Sequence, residues 1–203
     1  MVIPRSYFER FETKKYRSRN PLQRVLISRF IDGLHRLFLA SGDASRVLEV
    51  GCGEGFVSGY LSERYPGVGF TGIDVDPLAL SRLKEKFPRV ETHRGSACDL
   101  SEVAGAFDLV ICCEVLEHLD DPAAALREIA ARSPRRALFT VPHEPWFRLS
   151  NFLRGKNLAR LGDDIGHVNH WGPRSFRRLL ESNFEVLELT RSYPWLLSLS
   201  KPR

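Results

Sequence analysis

The chain has 203 residues, of which 43% are hydrophobic and 27% are charged, and its formal net charge is +5. These values are typical of one globular domain with a single core. No apolar run is long enough to span a membrane and the first residues lack an apolar signal core, so we expect a cytoplasmic protein with no membrane span. The four cysteines lack zinc-ligand spacing, which favours reduced, mostly buried thiols.

Predicted helices and strands alternate along most of the chain. Asn20 and Pro21 form a typical helix start, and apolar residues then recur at helical spacing to about Ala40. The predicted strands are Arg46–Val50, Gly69–Asp74, Val90–Arg94, Phe107–Cys112, Ala137–Val141, Phe184–Leu189 and Trp195–Ser200. The other predicted helices are Phe56–Arg64, Pro77–Lys86, one that begins near Pro122, and Ser175–Glu181.

This alternation predicts an α/β fold in which a parallel sheet carries helices on both faces. The segment from Pro142 to about Pro173 is too long for an ordinary connection. It is therefore expected to face the substrate or to act as a lid, with room for a short helix.

The most informative segment is Val47–Gly55, where a short apolar run and Glu49 precede three alternate glycines, Gly51, Gly53 and Gly55. Alternate glycines after a strand make a tight turn whose backbone N–H groups can approach a ligand closely. The spacing differs from that of dinucleotide and phosphate-binding loops, and the acid would repel a pyrophosphate. The loop therefore suits a ligand with a cationic or zwitterionic centre.

This loop resembles motif I of the class I S-adenosylmethionine (SAM) methyltransferases. Three further segments resemble later motifs of that family in the expected order: Thr71–Pro77 with Asp74 at a strand end, Gly95–Leu100, and Phe107–His118. The resemblance implies a Rossmann-like doubly wound sheet, mostly parallel with an antiparallel last strand. It also implies a division into a helical N-terminal cover, residues 1–45, and a methyltransferase domain, residues 46–203.

The resemblance implies SAM as the cofactor. Glu49 would reach the ammonium group, Asp74 the ribose hydroxyls and Val75 one face of the adenine, while Cys98 and Asp99 would contact the adenine edge. The full set of expected cofactor residues is Glu49, Gly51, Cys52, Gly53, Gly55, Asp74, Val75, Cys98, Asp99, Cys113 and Glu114.

Four histidines are candidates for the catalytic site. His118 and His143 follow predicted strands at the sheet edge where open α/β folds bind ligands, and His167 and His170 lie in the long segment before Trp171. An alcohol or phenol nucleophile needs a base near neutral pH, which is usually histidine.

The motif Glu114-x-x-Glu117-His118 could converge on a metal ion within one helical turn. It is similar to a turn in the ubiquinone-pathway O-methyltransferases. It also resembles the small-RNA terminal 2′-O-methyltransferases, where a further histidine four residues before a tryptophan, here His167, completes a magnesium-type site. The same motif occurs in methyltransferases that look metal-free, so metal binding stays open and no residue is assigned to a metal.

The expected substrate is a small molecule, methylated at oxygen by in-line displacement. Lys14, Lys15, Arg17 and Arg19 form a basic cluster that leaves a second possibility open, a metal-assisted 2′-O-methyltransferase acting on RNA. A third is a SAM-binding protein without activity, although the intact glycines and Asp74 argue against it.

Overall fold

The computed structural model describes residues 3–18, 20–133, 135–155, 157–164 and 166–203, apart from the side chain of Lys14. Arg19, a member of the basic cluster, lies outside the described residues. Within them, the strands are β1 (Arg46–Val50), β2 (Gly69–Asp74), β3 (Val90–Arg94), β4 (Leu109–Cys113), β5 (Arg136–Pro142), β6 (Phe184–Ser192) and β7 (Trp195–Pro202).

These strands form one sheet in the order β3-β2-β1-β4-β5-β7-β6. The last strand, β7, is antiparallel to both β5 and β6, whereas the other neighbouring pairs are parallel. The predicted Rossmann-like sheet with an antiparallel last strand is therefore confirmed.

The helices cover both faces of the sheet. They are α1 (Arg5–Phe8), α2 (Lys14–Arg17), α3 (Pro21–Ala40), α4 (Phe56–Arg64), α5 (Pro77–Lys86), α6 (Pro122–Arg132), α7 (Trp146–Leu153) and α8 (Pro173–Leu180). Side chains of α3, α4 and α5 enter one hydrophobic cluster, and those of α6 and α8 enter a second. Val47 and Leu48 are neighbours on β1, but Val47 packs into the first cluster and Leu48 into the second. This is because successive side chains of a strand point to opposite faces of the sheet. No helix of the described residues is long and apolar enough to cross a membrane.

Three of the helices begin with an Asn or Asp cap followed by proline. The Asn20 side chain accepts hydrogen bonds from the backbone N–H groups of Leu22 and Gln23, at the start of α3. Asp76 and Asp121 cap α5 and α6 in the same way. The cap satisfies N–H groups that have no partner within the helix, and proline adds no further unsatisfied donor.

The N-terminal segment 3–18, which we call the strap, is part of the core. Phe8 and Phe11 are buried in the first cluster, and the Tyr7 hydroxyl donates a 2.7 Å hydrogen bond to the Phe56 carbonyl. Phe56 is the first residue of α4 and follows the glycine loop directly. The strap is thereby held against the loop.

Apart from shifts of one to three residues at the ends of β5, β6, β7 and α8, two segments differ from the sequence-based expectation. β4 begins at Leu109 and not at Phe107, because the Phe107 N–H donates to the Arg132 carbonyl outside the sheet. The long segment after β5 contains α7 and a short 3₁₀ turn, Leu158–Arg160, so it has more structure than the single short helix anticipated.

Close packing at Gly59 generates a test of the fold. A Cβ atom added at Gly59 would lie 2.4 Å from ring carbons of the buried Phe87, whereas one added at Gly67 would meet nothing within 4 Å. We expect Gly59→Ala to lower the free energy of unfolding by about 1–2 kcal/mol, because overpacking outweighs the helix-propensity gain of alanine.

Urea denaturation would measure this effect, with Gly67→Ala as the control. The control should change the free energy of unfolding by less than about 0.5 kcal/mol or raise it slightly. A Gly59→Ala variant as stable as the parent would contradict the packing described between α4 and Phe87.

Candidate active site

The glycine loop between β1 and α4 keeps its backbone close to the neighbouring strand. Gly51 (φ +71°) and Gly53 (φ +50°) both adopt left-handed backbone conformations. The Gly51 N–H donates to the Ile73 carbonyl at 2.8 Å, and the Gly53 N–H donates to the Asp74 carboxylate at 2.7 Å. A Cβ atom on Gly53 would meet nothing within 4 Å, so this part of the loop faces open space.

A cleft of about 210 Å³ lies beside this loop. Its lining includes six of the expected cofactor residues, namely Glu49, Gly51, Cys52, Gly53, Cys113 and Glu114. The strap contributes Thr13, Lys15 and Tyr16 to the same cleft. This volume is below the about 300–1,000 Å³ of typical ligand pockets.

Glu49 is buried at the base of this cleft. Its carboxylate accepts a 2.8 Å hydrogen bond from the Ser58 N–H, near the start of α4. Burial raises the pKa of Glu49 to about 8, and the nearby Asp74 carboxylate acts in the same direction. A cationic group of a ligand would favour the ionised carboxylate and thus release a proton.

The other expected cofactor residues lie outside the cleft lining. Asp74 sits at the end of β2, where its carboxylate accepts from the N–H groups of Gly53 and Asp76. Gly55 is the N-cap residue of α4, and Val75 is exposed beyond β2. The Cys98 thiol donates to the Asp121 carbonyl, and the Asp99 carboxylate accepts from the Ser101 N–H. Their roles in cofactor binding stay predictions.

The strap is attached to the glycine loop through Glu54. The Glu54 carboxylate accepts from the Glu12 N–H at 2.9 Å, from the Thr13 hydroxyl at 3.0 Å and from the Lys86 ammonium at 2.6 Å. Burial opposes ionisation of Glu54, but these donors hold its pKa below the ordinary value. Tyr16 adds a stacked contact with Phe56, their ring centroids 3.7 Å apart.

A larger cavity of about 900 Å³ adjoins the cleft, and both are lined by Lys15 and Glu114. Glu114 directly follows β4 and has a left-handed backbone conformation, with φ +59°. For any residue other than glycine this conformation is unfavourable by about 1–2 kcal/mol. Its carboxylate accepts a 2.7 Å hydrogen bond from the Trp195 indole and lies 3.5 Å from the Lys15 ammonium. Burial alone would lower the pKa of Lys15, but the Glu114 carboxylate outweighs it and raises that pKa.

Three of the four residues of the metal hypothesis meet at this cavity. Potential ligand atoms of Glu117, His118 and His167 all lie within 4.8 Å of one another, whereas Glu114 is outside this group and bonds Trp195 instead. The Glu117 carbonyl accepts from the N–H groups of Val168 and Asn169, which places His167 beside the turn after β4.

The chemistry of these donors fits a divalent cation. Neither carboxylate oxygen of Glu117 has a hydrogen-bond partner among the described residues, although both are buried. His118 Nδ1 donates to the Gly166 carbonyl at 2.7 Å, which leaves Nε2 as an acceptor. Burial and the nearby His118 lower the pKa of His167 to about 4, so it presents the neutral imidazole that metals bind. Two imidazoles and a carboxylate are a common ligand set for transition metals.

The structure does not bring the other two candidate histidines to this cavity. Among the described residues, its lining includes His118 and His167 but neither His143 nor His170. His143 is buried behind β5, and burial lowers its pKa. His170 Nε2 bonds the Asp163 carboxylate at 2.8 Å. Trp171 is buried in the second hydrophobic cluster.

Sequence analysis missed the roles of Lys15, Tyr16 and Trp195. The sequence places Lys15 in a basic cluster for anionic partners, but its side chain reaches Glu114 in the interior, and Arg17 pairs with Glu12 at 2.6 Å. The sequence marks Trp195 only as part of a strand. No local pattern identifies these side chains, because their partners are distant in the sequence.

Comparison with known protein families matches residues 22–189 to a methyltransferase domain. This match includes the glycine loop, Asp74 and the turn with Glu117 and His118. The chain belongs to the class I SAM-dependent methyltransferases. The family and its SAM cofactor, expected from the order of the four motifs, are thereby confirmed.

Relatives of this methyltransferase include the ubiquinone biosynthesis O-methyltransferases of Pseudomonas aeruginosa and Aromatoleum aromaticum. The first is 40% identical over 87 residues, 40% of this chain and 37% of the relative. The second is 39% identical over 90 residues, 42% of this chain and 38% of the relative. The matched segment thus spans little more than a third of either relative.

Solved structures share the whole fold. Magnesium protoporphyrin IX methyltransferase of Synechocystis with bound S-adenosylhomocysteine has a TM-score of 0.71 at 19% identity, over 98% of both chains. The N-methyltransferase NodS of Bradyrhizobium japonicum, also with S-adenosylhomocysteine, has a TM-score of 0.65 at 21% identity, over 97% of this chain and 96% of that one. Identities this low support the fold alone.

Gly53 permits a matched test of the cofactor cleft. Gly42 (φ +86°) and Gly53 share a positive φ, and a Cβ atom at either would meet nothing within 4 Å, but only Gly53 lines the cleft. We expect Gly53→Ala and Gly42→Ala to lose similar stability, about 1–2 kcal/mol. Only Gly53→Ala should weaken binding of S-adenosylhomocysteine, by about tenfold or more, since its methyl group occupies ligand space.

Isothermal titration calorimetry would measure the affinity, and thermal unfolding would compare the two variants. Equal affinities of Gly53→Ala and Gly42→Ala for S-adenosylhomocysteine would show that Gly53 does not lie at the cofactor site.

The raised pKa of Glu49 predicts that the affinity for the cofactor depends on pH. Between about pH 5.5 and 7.5 the buried carboxyl of the free protein is mostly protonated, and it must ionise to pair with the ligand ammonium. Affinity for S-adenosylhomocysteine should therefore rise with pH over this range, by at most about tenfold per pH unit. The surrounding Tyr7, Tyr16, Cys52, Cys112 and Cys113 have pKa values raised by burial, so they stay neutral there.

Glu49→Gln removes the titrating group while keeping its shape. Calorimetry from pH 5.5 to 7.5 should show an affinity that barely changes with pH and is about tenfold or more weaker at pH 7.5. A Gln variant that keeps the slope would assign the pH dependence to a group other than Glu49.

Proposed function

We propose that this protein transfers the methyl group of SAM to an oxygen atom of a small-molecule acceptor. The observation that carries this proposal is the shared boundary of the two cavities. Lys15 and Glu114 line both the cleft beside the glycine loop and the 900 Å³ cavity. A cofactor in the first space and an acceptor in the second would meet at that boundary.

The reaction is an in-line displacement. The acceptor oxygen attacks the methyl carbon, the carbon–sulfur bond breaks and its electron pair stays on sulfur, giving S-adenosylhomocysteine. Because SAM carries a cationic leaving group, much of the rate gain comes from positioning the two reactants. Glu49 would hold the amino-acid end of SAM, and the Trp195–Glu114–Lys15 contacts hold the side chains beside the boundary where the two ligands would meet.

Transfer to oxygen is supported by the donors that line the larger cavity. A hydroxyl nucleophile must lose its proton, and Glu117, His118 Nε2 and His167 would hold a cation that makes a bound hydroxyl more acidic. The relatives from Pseudomonas and Aromatoleum are O-methyltransferases by name, which supports the same atom.

Glu117, His118 and His167 would hold a divalent cation in this cavity. Such an ion supplies Lewis-acid stabilisation of the acceptor oxygen as its proton leaves. The hydrogen bond from His118 to Gly166 and the contacts of the Glu117 carbonyl with Val168 and Asn169 keep these donors in place.

Transfer of labelled methyl from SAM into a bacterial extract, separated into small-molecule and RNA fractions, tests this function. We expect label in the small-molecule fraction. Label confined to RNA would overturn the acceptor class. Tight S-adenosylhomocysteine binding with no label in either fraction would favour a protein that binds SAM without turnover.

Chelation would test the metal site in the same assay. We expect EDTA to abolish labelling and added Mg²⁺, Mn²⁺ or Zn²⁺ to restore it. His167→Gln should lower activity about 10–100-fold, whereas His170→Gln, which lies outside the cavity, should leave it within about twofold. Full activity after exhaustive chelation, together with full activity of His167→Gln, would show that the reaction does not use a metal ion at this site.

A further inference from the structure

Helix α7 carries four of its five large apolar side chains on the outside, and only Phe147 is buried. Trp146, Leu149, Phe152 and Leu153 are between 41% and 73% exposed, whereas Ser150 and Asn151 are buried. A surface helix of a protein in water normally has the opposite arrangement, with its apolar stripe toward the core. The outer face of α7 therefore suits an apolar environment.

The inward polar residues fix this orientation. The Ser150 hydroxyl shares a 2.5 Å hydrogen bond with the Tyr193 hydroxyl, and the Asn151 amide donates to the Gly162 carbonyl at 3.0 Å. Rotating α7 to bury Phe152 and Leu153 would break both bonds and leave buried polar groups without partners. The exposed apolar face is thus a stable property of the fold.

Further apolar side chains are exposed in the segment that follows α7. Seven of the fourteen large apolar side chains exposed among the described residues lie between positions 146 and 168. They are Trp146, Leu149, Phe152, Leu153, Leu158, Leu161 and Val168. Concentrated exposure of this kind marks an interaction surface, whereas isolated exposed apolar residues do not.

This surface lies beside the larger cavity. Phe147, Asn151 and Arg154 on or next to α7 line one side of that cavity, and Leu26 and Ile27 of α3 line another. Val25 and Leu22, on the neighbouring positions of α3, are 48% and 56% exposed. Exposed apolar side chains therefore lie on both elements that flank the cavity.

Basic residues accompany both apolar patches. Among the described residues, the segment 146–168 contains Arg148, Arg154 and Arg160 with Asp163 and Asp164, and the segment 17–29 contains Arg17, Arg24 and Arg29 and no acidic residue. An anionic partner with an apolar interior fits both features.

We propose that the exposed residues of 146–168, together with Leu22 and Val25, bind the surface of an anionic phospholipid bilayer. The apolar side chains enter the headgroup boundary, Trp146 lies at that boundary, and the arginines contact lipid phosphates. The larger cavity then lies next to the bilayer. This inference does not depend on which acceptor is methylated.

Vesicle sedimentation would test the proposal. The purified full chain is mixed with phosphatidylcholine vesicles, or with vesicles of equal parts phosphatidylcholine and phosphatidylglycerol, at low and high salt. We expect binding to the anionic vesicles that weakens with salt, and at least about tenfold weaker binding to phosphatidylcholine alone. The variant Phe152→Ser/Leu153→Ser should bind anionic vesicles about tenfold or more weakly.

The control is Leu39→Ser/Leu187→Ser, which removes two apolar side chains, 59% and 42% exposed, outside the proposed surface. It should sediment with anionic vesicles as the parent does. Unchanged S-adenosylhomocysteine affinity in both double variants would show that each is folded and would separate this test from that of methyl transfer.

Two results would overturn the proposal. One is no sedimentation with anionic vesicles at low salt. The other is a dimer in sedimentation velocity that Phe152→Ser/Leu153→Ser dissociates while vesicle binding stays absent, which would assign the surface to a second copy of the chain.

Discussion

The site depends on the position of β1 between β2 and β4. From β1 the chain crosses to β2 through α4 on one face of the sheet, and later strands are added on the other side of β1 with α6 on the opposite face. Connections that diverge from one strand leave a crevice at the carboxyl ends of the strands. The glycine loop, Asp74 and the turn with Glu117 all follow strands that end there, so one topological constraint gathers residues distant in sequence.

The gathered side chains concentrate carboxyl groups in this crevice. Glu49, Glu114 and Glu117 are buried or half-buried at one edge, with Lys15 the cation that reaches Glu114. Burial raises the pKa of Glu49, and that of Glu117 lies well above the ordinary value for the same reason. The positive ammonium and sulfonium groups of a ligand would offset the free-energy cost of ionising these buried carboxyls. This is a physical reason for several carboxyl groups to lie together at a SAM site.

Local signals predicted most of the fold. The Asn20 and Asp76 caps followed by proline set helix starts, and the bounds of β1, β2 and β3 agree with the predicted strands. Non-local contacts could not be predicted in this way. In the sequence Lys15 is one member of a basic cluster, and only the fold places it against Glu114. The four candidate histidines have similar sequence neighbourhoods, yet two of them line the larger cavity and two do not.

The attachment of the strap to the glycine loop makes the N-terminal segment one wall of the cofactor cleft. Thr13 and Tyr16 line this cleft while bonded to Glu54 and stacked on Phe56. The shape of the cleft therefore depends on residues about forty positions before the glycine loop in the sequence as well as on the loop itself. A substitution that loosens the strap changes the wall of the cofactor cleft without touching the glycine motif.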